Sequence, residues 1–348
     1  MEDFRLGLIG CGGMMRAHVG ALNLVPGVKV TAVCDIIEER ALNVAEVCED
    51  AYVTTDYKTM CDYVDGVLVV LPHDLHFECG MFFAMNKKHV LMEKPLCNSE
   101  AECLKLIETC EEMGVTLMCA YPVRYWPGIE KLKEMLDSGE YGKPIMMSVW
   151  TEQLTPTDPL DWKGTARLGG GQLFSHGCHY IDLLLWFLGN PVSGTHLGTK
   201  VGTPWMMEEG TSAVTMKFES GAIGYHGATW GARGSRLYYD FQIQCEKGMI
   251  EYDHKKGEIR VYDSNKEHVP GEEITERGER VVWDRRNAPP NKNTEREMIH
   301  FLECCRTGKK PLTDGRSSLQ GLRVIWKLYE AEKQGVVADL RGLGIENA

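Results

Sequence analysis

Long hydrophobic runs are missing from this sequence. Nowhere do about 18 apolar residues follow one another, the length a membrane-crossing helix requires. The N-terminus runs straight into Phe4-Arg5-Leu6-Gly7-Leu8-Ile9, with no basic segment ahead of a long apolar stretch, so no secretory signal is expected. Positive charge is also in short supply: Lys and Arg number 38 against 50 Asp and Glu, a net charge of −12. Nucleic-acid binders neutralise phosphates with clustered cations, and anionic membranes attract the same residues, so neither partner is expected. The 13 cysteines never occur as Cys-x-x-Cys, which removes zinc ribbons and thioredoxin-type motifs. Their number is odd, and Cys11, Cys34, Cys119 and Cys178 lie in apolar runs, where a free thiol packs as a small hydrophobe. A reducing, cytoplasmic location is the expectation. No internal repeat or low-complexity tract is present.

What remains is an ordinary globular composition, 43% hydrophobic and 25% charged. At 348 residues, two domains of roughly 100–200 residues are the natural division. Over the first 120 residues, short apolar runs alternate with helix-like segments. The runs are Leu6–Ile9, Val28–Cys34, Gly66–Leu71, His89–Met92 and Val115–Ala120, each mostly apolar, as expected of strands buried on both faces. Residues 37–49 carry apolar side chains at spacings of three and four. Residues 99–113 open on Ser99, a helix N-cap, with Glu100 and Glu102 in the first turn, where the helix dipole favours acids. This βαβα order predicts an α/β fold, a doubly wound parallel sheet over residues 1–121.

After Ala120 the pattern changes. A helix is expected near 128–138, then β-rich runs at 145–152, 211–218, 221–230, 236–245 and 248–253, with a helix at about 177–188 between them. Glu219-Ser220-Gly221 and Glu246-Lys247-Gly248 read as tight turns joining antiparallel neighbours. Residues 264–292 are polar and read as a loop, followed by helices at about 294–307 and 315–334. Residues 122–340 therefore read as an α+β domain with an open, largely antiparallel sheet, expected to bind substrate and to carry oligomerisation.

The first strand ends in Gly10-Cys11-Gly12-Gly13-Met14-Met15, just before a helix. Gly10 permits a tight turn, and Gly12 lets backbone approach a pyrophosphate seated on the helix N-terminus. Met15 stands where Gly-x-Gly-x-x-Gly has its third glycine. The second strand ends at Asp35, 25 residues after Gly10, where a carboxylate can accept hydrogen bonds from the adenosine ribose. Ile36 and Ile37 follow, with no cation for a 2′-phosphate, so NAD is the expected cofactor in preference to NADP. The same residues also fit a plain turn and a helix cap.

Leu91-Met92-Glu93-Lys94-Pro95-Leu96 follows a strand and precedes a helix. With the glycine turn, Asp35, Leu71-Pro72-His73-Asp74-Leu75-His76, Gly169-Gly170-Gly171-Gln172-Leu173 and Gly177-Cys178-His179-Tyr180-Ile181-Asp182, it resembles the Gfo/Idh/MocA family of oxidoreductases over nearly the whole chain. The resemblance implies that Glu93 binds the nicotinamide ribose and that Lys94 sits beside the reacting hydroxyl. It also implies that Pro72, His73 and His76 shape the nicotinamide pocket, that Arg124 flanks the site, and that His179 is the acid/base residue. Removing hydride from a carbinol carbon requires the hydroxyl proton to leave, and an imidazole, with an intrinsic pKa of about 6.5, takes it at neutral pH. A nearby ammonium stabilises the alkoxide character.

One position departs from the family. Four residues before His179, where many members carry Asp, stands Ser175, followed by His176. Asp182 or another carboxylate then compensates, or the proton chemistry differs, with His176 a second acid/base, a substrate ligand or a spectator. His176, His179 and Asp182 share a spacing of three, yet no metal is expected on a helix that only begins at Gly177. Trp162, in Asp161-Trp162-Lys163-Gly164-Thr165, offers a stacking face for a sugar, and Lys163 and Arg167 suit a charged substituent; a surface loop with a packed Trp fits as well.

Three functions are compatible with these residues. The first is an NAD-dependent dehydrogenase acting on a ring hydroxyl of a sugar, glycoside or inositol, at C3 of a pyranose. The second is a redox-neutral NAD-dependent glycoside hydrolase, with C3 oxidation, C1 elimination, water addition and re-reduction, and His176 as the extra base. The third is a non-enzymatic NAD-dependent sensor. The resemblance further implies a homo-oligomer, dimer or tetramer.

Overall fold

The computed structural model describes residues 3–158, 160–263, 278–285 and 293–345. The chain forms two compact units. The first holds Met1–Tyr125, Ala166–Gly169 and Asn291–Leu322; the second holds Trp126–Thr165, Gly170–Pro290 and Arg323–Ala348.

The first unit alternates β1 (Phe4–Ile9), α1 (Gly13–Leu22), β2 (Val28–Cys34), α2 (Glu38–Ala45), β3 (Tyr52–Thr54), β4 (Gly66–Val69), α3 (His76–Met85), β5 (His89–Glu93), α4 (Glu100–Met113) and β6 (Leu117–Ala120). All neighbouring strands are parallel, in the order β3-β2-β1-β4-β5-β6. The apolar runs are strands because both faces are covered: Leu6, Leu8, Val33, Val67, Leu68, Leu91 and Met92 are fully or almost fully buried. Each such side chain contributes roughly 1.5–3 kcal/mol relative to exposure. α4 begins where Ser99 accepts the Glu102 amide at 3.3 Å and stops at Gly114, which takes φ +67°. Strand order reverses between β1 and β4, and in such sheets ligands bind outside the carboxyl ends of the strands at that point. Gly10, Asp35, Val70 and Glu93 all lie at those ends.

The second unit runs through α5 (Pro127–Asp137), β7 (Pro144–Glu152), α6 (Cys178–Leu188), β8 (Pro191–Thr199), β9 (Thr211–Phe218), β10 (Ile223–Thr229), β11 (Tyr239–Cys245), β12 (Gly248–Asp253), β13 (Glu258–Asp263) and β14 (Gly278–Asp284). With β15 (Ala338–Asp339) they form one sheet, β14-β13-β12-β11-β7-β10-β9-β8-β15. Every pairing is antiparallel except β7 with β10. Both expected turns join antiparallel neighbours, β9 to β10 and β11 to β12. The expected loop at 264–292 is corrected in part, because β14 lies inside it and pairs with β13; residues 264–277 and 286–292 lie outside the described residues. The remaining helices, α7 (Thr294–Thr307) and α8 (Gly315–Gln334), follow their expected bounds. Met298, Phe301 and Leu302 of α7 join the core of the first unit beside Leu6, Leu8 and Met15.

All 13 cysteines are free thiols. Among the described residues, no helix is long and apolar enough to cross a membrane.

Candidate functional site

The glycine turn has the form a dinucleotide needs. Gly10 takes φ +85°, and a β-carbon there would lie 2.1 Å from the Val70 carbonyl oxygen, so no other residue fits. At Gly12 and Gly13 a β-carbon would meet nothing within 4 Å, leaving open space against the turn. α1 starts after Gly12 with no side-chain cap and no acid in its first turn, so its amides and positive dipole end are suited to an anion. The Met15 side chain is fully buried in the core beneath the turn. It fills the space that a third glycine would leave for close helix–strand packing and does not obstruct the turn. Of Met15, only the backbone is then available to a ligand.

Asp35 is buried, and its carboxylate accepts the Cys11 amide at 2.7 Å and the Ile37 amide at 2.9 Å. It ties the end of β2 to the glycine turn rather than capping α2, whose N-cap is Ile37. Ile36 beside it is 87% exposed, a bare apolar surface next to the turn.

At the end of β5, Glu93 is buried and accepts from His18 Nε2 of α1 at 2.8 Å. Burial pushes the Glu93 carboxyl up, but the His18 hydrogen bond, the Lys94 charge and the Lys94 amide outweigh it and hold it below the usual carboxylate range. Glu93 is therefore ionised, held by His18, a partner that pattern reading missed. Lys94 follows in a half-buried position, and the Lys94–Pro95 peptide is cis. Glu297 of α7 lies within the influence of Glu93; it is fully buried, and among the described residues neither of its carboxyl oxygens has a close hydrogen-bond partner, although the Tyr121 backbone lowers its pKa somewhat.

Both histidines after Pro72 act as braces. The His76 ring lies between the Pro95 oxygen at 2.8 Å and the Leu71 oxygen at 3.0 Å and is fully buried. It fixes the shape of the two turns without a surface of its own. His73 Nδ1 meets the Leu168 oxygen at 2.9 Å, while Arg167 pairs with Asp74 at 2.9 Å. Leu71 and Pro72 remain half-exposed beside them. Arg124, expected to flank the site, is 1% exposed, and its guanidinium donates to the Leu312 oxygen at 3.0 Å.

In the second unit the chain enters α6 through a π-helical turn, Leu173–Gly177, earlier than the expected start at 177. Such turns recur at functional sites. The turn carries Ser175, buried, and His176, half-buried, and His179 follows in α6 at 7% exposure. The His176 and His179 rings are 5.9 Å apart, edge to face. His176 Nδ1 lies 3.3 Å from Gln172 Nε2, and its Nε2 lies 3.4 Å from the Tyr239 hydroxyl. Tyr239, from β11, was not anticipated; alternation along its strand could have placed it inward but not beside His176. Around them stand Tyr180, Trp230 and Trp126, the last stacked on His254 at 4.2 Å. Burial pushes His226 down to about 3 and His254 down to about 4, too weakly basic to take a proton near neutrality. Asp182 is buried in α6. In the same unit Trp162 is half-exposed in a 3-10 turn whose Asp161 accepts the Lys163 amide, and the Lys163 ammonium lies 5.8 Å from the Trp162 ring.

Both units match the same family. Residues 4–121 match the oxidoreductase family with an NAD-binding Rossmann fold, and residues 129–251 match the GFO/IDH/MocA C-terminal domain. Myo-inositol 2-dehydrogenase of Thermotoga maritima is 26% identical over 91% of this chain and 93% of its own length. The 2,7-anhydro-N-acetylneuraminate hydratase of Escherichia coli is 27% identical over 73% of this chain and 69% of its own. The solved structure of levoglucosan dehydrogenase with NADH and L-sorbose superposes with a TM-score of 0.87 at 20% identity, covering 98% of this chain and 99% of that one. That last likeness is one of fold.

Proposed function

This chain belongs to the Gfo/Idh/MocA family of NAD-binding oxidoreductases, and from that premise we propose that it oxidises a ring hydroxyl of a sugar, glycoside or inositol, at C3 of a pyranose. The observation that carries the reading is Glu93, an ionised, buried carboxylate at the carboxyl end of β5, beside Lys94 and fixed by His18 of α1, the helix that follows the open glycine turn. A carboxylate so held is prepared to accept ribose hydroxyls.

The residues suit NAD. The amides of Gly12, Gly13, Met14 and Met15 take the pyrophosphate, Asp35 the adenosine ribose and Ile36 the adenine side. Leu71 and Pro72, shaped by His73 and His76, border the nicotinamide, and Glu93 takes its ribose. When bound, NAD+ supplies the hydride acceptor. The Lys94 ammonium stabilises the substrate oxygen as the C–H bond is lost, and the His179 imidazole takes the hydroxyl proton, leaving a ketone. Ser175, His176, Trp162 and Lys163 are assigned to binding the sugar. Arg124, buried, serves by holding the turn after β6.

A second reading is the redox-neutral hydrolase, favoured by the pairing of His176 with Tyr239 and Gln172 and by the hydratase relative. In it His176 removes the C2 proton of the transient ketone so that the C1 substituent leaves.

The test is incubation with NAD and a panel of aryl glycosides, free sugars and inositols, following NADH absorbance and aglycone release together. The dehydrogenase predicts NADH, lowered at least about 100-fold in kcat by Lys94→Ala. The hydrolase predicts aglycone without net NADH, abolished by His176→Ala. Unchanged turnover in Lys94→Ala would remove the assignment.

A further inference from the structure

The turn that carries Ser175 and His176 raises a question of support. The first four amides of a helix have no internal acceptors and must find partners elsewhere. Gln172, at the cap position, supplies none from its side chain, yet each amide from Gly171 to Phe174 has an acceptor. The Gln172 amide reaches the backbone oxygen of Glu209 at 2.8 Å. The Leu173 amide reaches Glu209 Oε1 at 3.1 Å. The Gly171 and Phe174 amides both reach the Tyr329 hydroxyl oxygen, at 3.3 and 3.2 Å. That hydroxyl donates its own proton to Glu209 Oε1 at 2.6 Å. The first internal bond, Ser175 amide to Gly171 oxygen at 3.0 Å, follows at once.

We propose that Glu209 and Tyr329 are positioning residues, a clamp from outside the helix that sets the orientation of the turn bearing Ser175 and His176 and, through it, the start of α6 with His179.

The surroundings are built to that end. A β-carbon at Gly171 would lie 2.0 Å from Glu209 Oε2, so the third glycine of the Gly169-Gly170-Gly171 run is what admits the carboxylate. Tyr329 lies on α8 between Trp326 and Glu332: Trp326 lies near Phe174, His196 meets the Tyr329 ring edge-on, and Glu332 accepts from His196 Nδ1 and the Gly198 amide, both at 2.7 Å. Burial and the neighbouring carboxylate push the Tyr329 phenol well above its ordinary range, so it keeps the proton that it donates. Burial raises the Glu209 carboxyl too, against the hydrogen bonds from Tyr329 and Leu173.

The catalytic meaning of this clamp rests on the roles proposed above for His176 and His179; its structural meaning does not. Amide exchange and imidazole C2-hydrogen exchange, both read by mass spectrometry on the full chain, test it without any substrate. In Tyr329→Phe the Gly171 and Phe174 amides are expected to exchange at least about tenfold faster. The titration midpoints of His176 and His179 are expected to move by about half a pH unit. Glu209→Ala is expected to match it, while Glu209→Gln, which keeps an acceptor oxygen but loses the charge, is expected to speed exchange of the Leu173 amide by only about threefold. Should the harsher variants fail to fold, Glu209→Gln still decides: a faster Leu173 amide supports the clamp, and unchanged exchange overturns it. Imidazole titrations superimposable on wild type in folded Tyr329→Phe and Glu209→Ala would also overturn it. With myo-inositol, levoglucosan or an aryl glycoside that the wild type oxidises, Tyr329→Phe is expected to lower kcat at least about tenfold with KM for NAD unchanged, and an unchanged kcat would overturn the positioning role. If the wild type oxidises none of them, the functional reading falls while the exchange data still judge the clamp.

Discussion

Glu93 at the end of β5 and Glu297 on α7 are both buried in the first unit, and burial alone pushes both upward. Glu93 escapes because His18 and Lys94 favour its charge. Glu297 has no such partner, and the Glu93 charge raises it further, so it is held as the neutral acid. The titratable groups acting there are Glu93 from β5, with His18 of α1 and Lys94 behind it, and the Tyr125 phenol, itself pushed up chiefly by burial. The signs follow. A carboxyl raised by folding adds stability that is complete below its unfolded value of about 4.3 and erodes as pH climbs toward the folded value. One lowered by folding, as Glu93 is, adds stability above that value and loses it as pH falls through the folded one. Glu297→Gln removes the first effect only. It is expected to raise Tm at pH 8 by roughly 2–4 °C, the equivalent of about 1 kcal/mol, and to change it little at pH 5. Thermal melts at the two pH values check this, and equal shifts at both would show that the carboxyl does not titrate. His18 shows where residue-level reading runs out. Met15, His18 and Ala21 are the buried stripe of α1, so the helical period places His18 inward. That it meets Glu93, 75 residues later, depends on strand order, which no local pattern carries.

At the scale of the element, the glycine turn divides two requirements that one motif merges. Gly10 is fixed by the fold itself, through its positive φ and the Val70 oxygen. Gly12 is unconstrained by any protein atom nearby. Gly10→Ala is therefore expected to destabilise the chain by at least about 2 kcal/mol. Gly12→Ala is expected to leave Tm within about 1 °C while weakening NAD binding at least about tenfold, because its methyl group occupies the space meant for pyrophosphate. Calorimetry and thermal melts separate the two effects, and a Gly12→Ala protein that binds NAD normally would remove the turn from the cofactor site. Met15→Gly, which restores the family spacing, is expected to cost about 2–5 kcal/mol through the lost buried side chain. The elements with their own chemistry were legible: α4 has Ser99 and Gly114 at its ends, β2 is a β-branched, mostly apolar run broken only by Lys29 and Thr31, and α7 and α8 show clear helical periods. β3 has only three residues, and β8 carries Pro191, Gly194 and Gly198 in a strand that is mostly half-buried or exposed. Neither stands out before its neighbours are known. The π-helical turn is invisible for a related reason, since its support comes from Glu209 and Tyr329, distant in sequence.

At the scale of the whole molecule, the large sheet of the second unit carries the remaining expectation. α5 and α6 pack against β12, β13, β7 and β10, and alternate residues on that side, such as Met147, Val149, Val214, Phe241 and Ile243, are fully buried. The alternate set on the other face stays accessible. Met146 is 36% exposed, Ile223 42% and Leu197 73%, with Met146 and Ile223 directly opposite each other in the β7–β10 pair. Beside them Trp150 and Tyr225 lie 5.1 Å apart, half-exposed. An apolar strip of this kind, on a sheet face whose other side is filled, suits a second copy of the same face related by a two-fold axis. Light scattering is expected to give at least twice the chain mass of 39.1 kDa. Met146→Glu with Ile223→Glu places charges on side chains already in solvent, so folding is expected to be spared while like charges oppose one another across the axis. The double variant should run as a single chain with an unchanged thermal profile of its monomer. A wild type that runs at the single-chain mass would end the oligomer expectation, and a double variant that keeps the wild-type mass would move the interface to another surface.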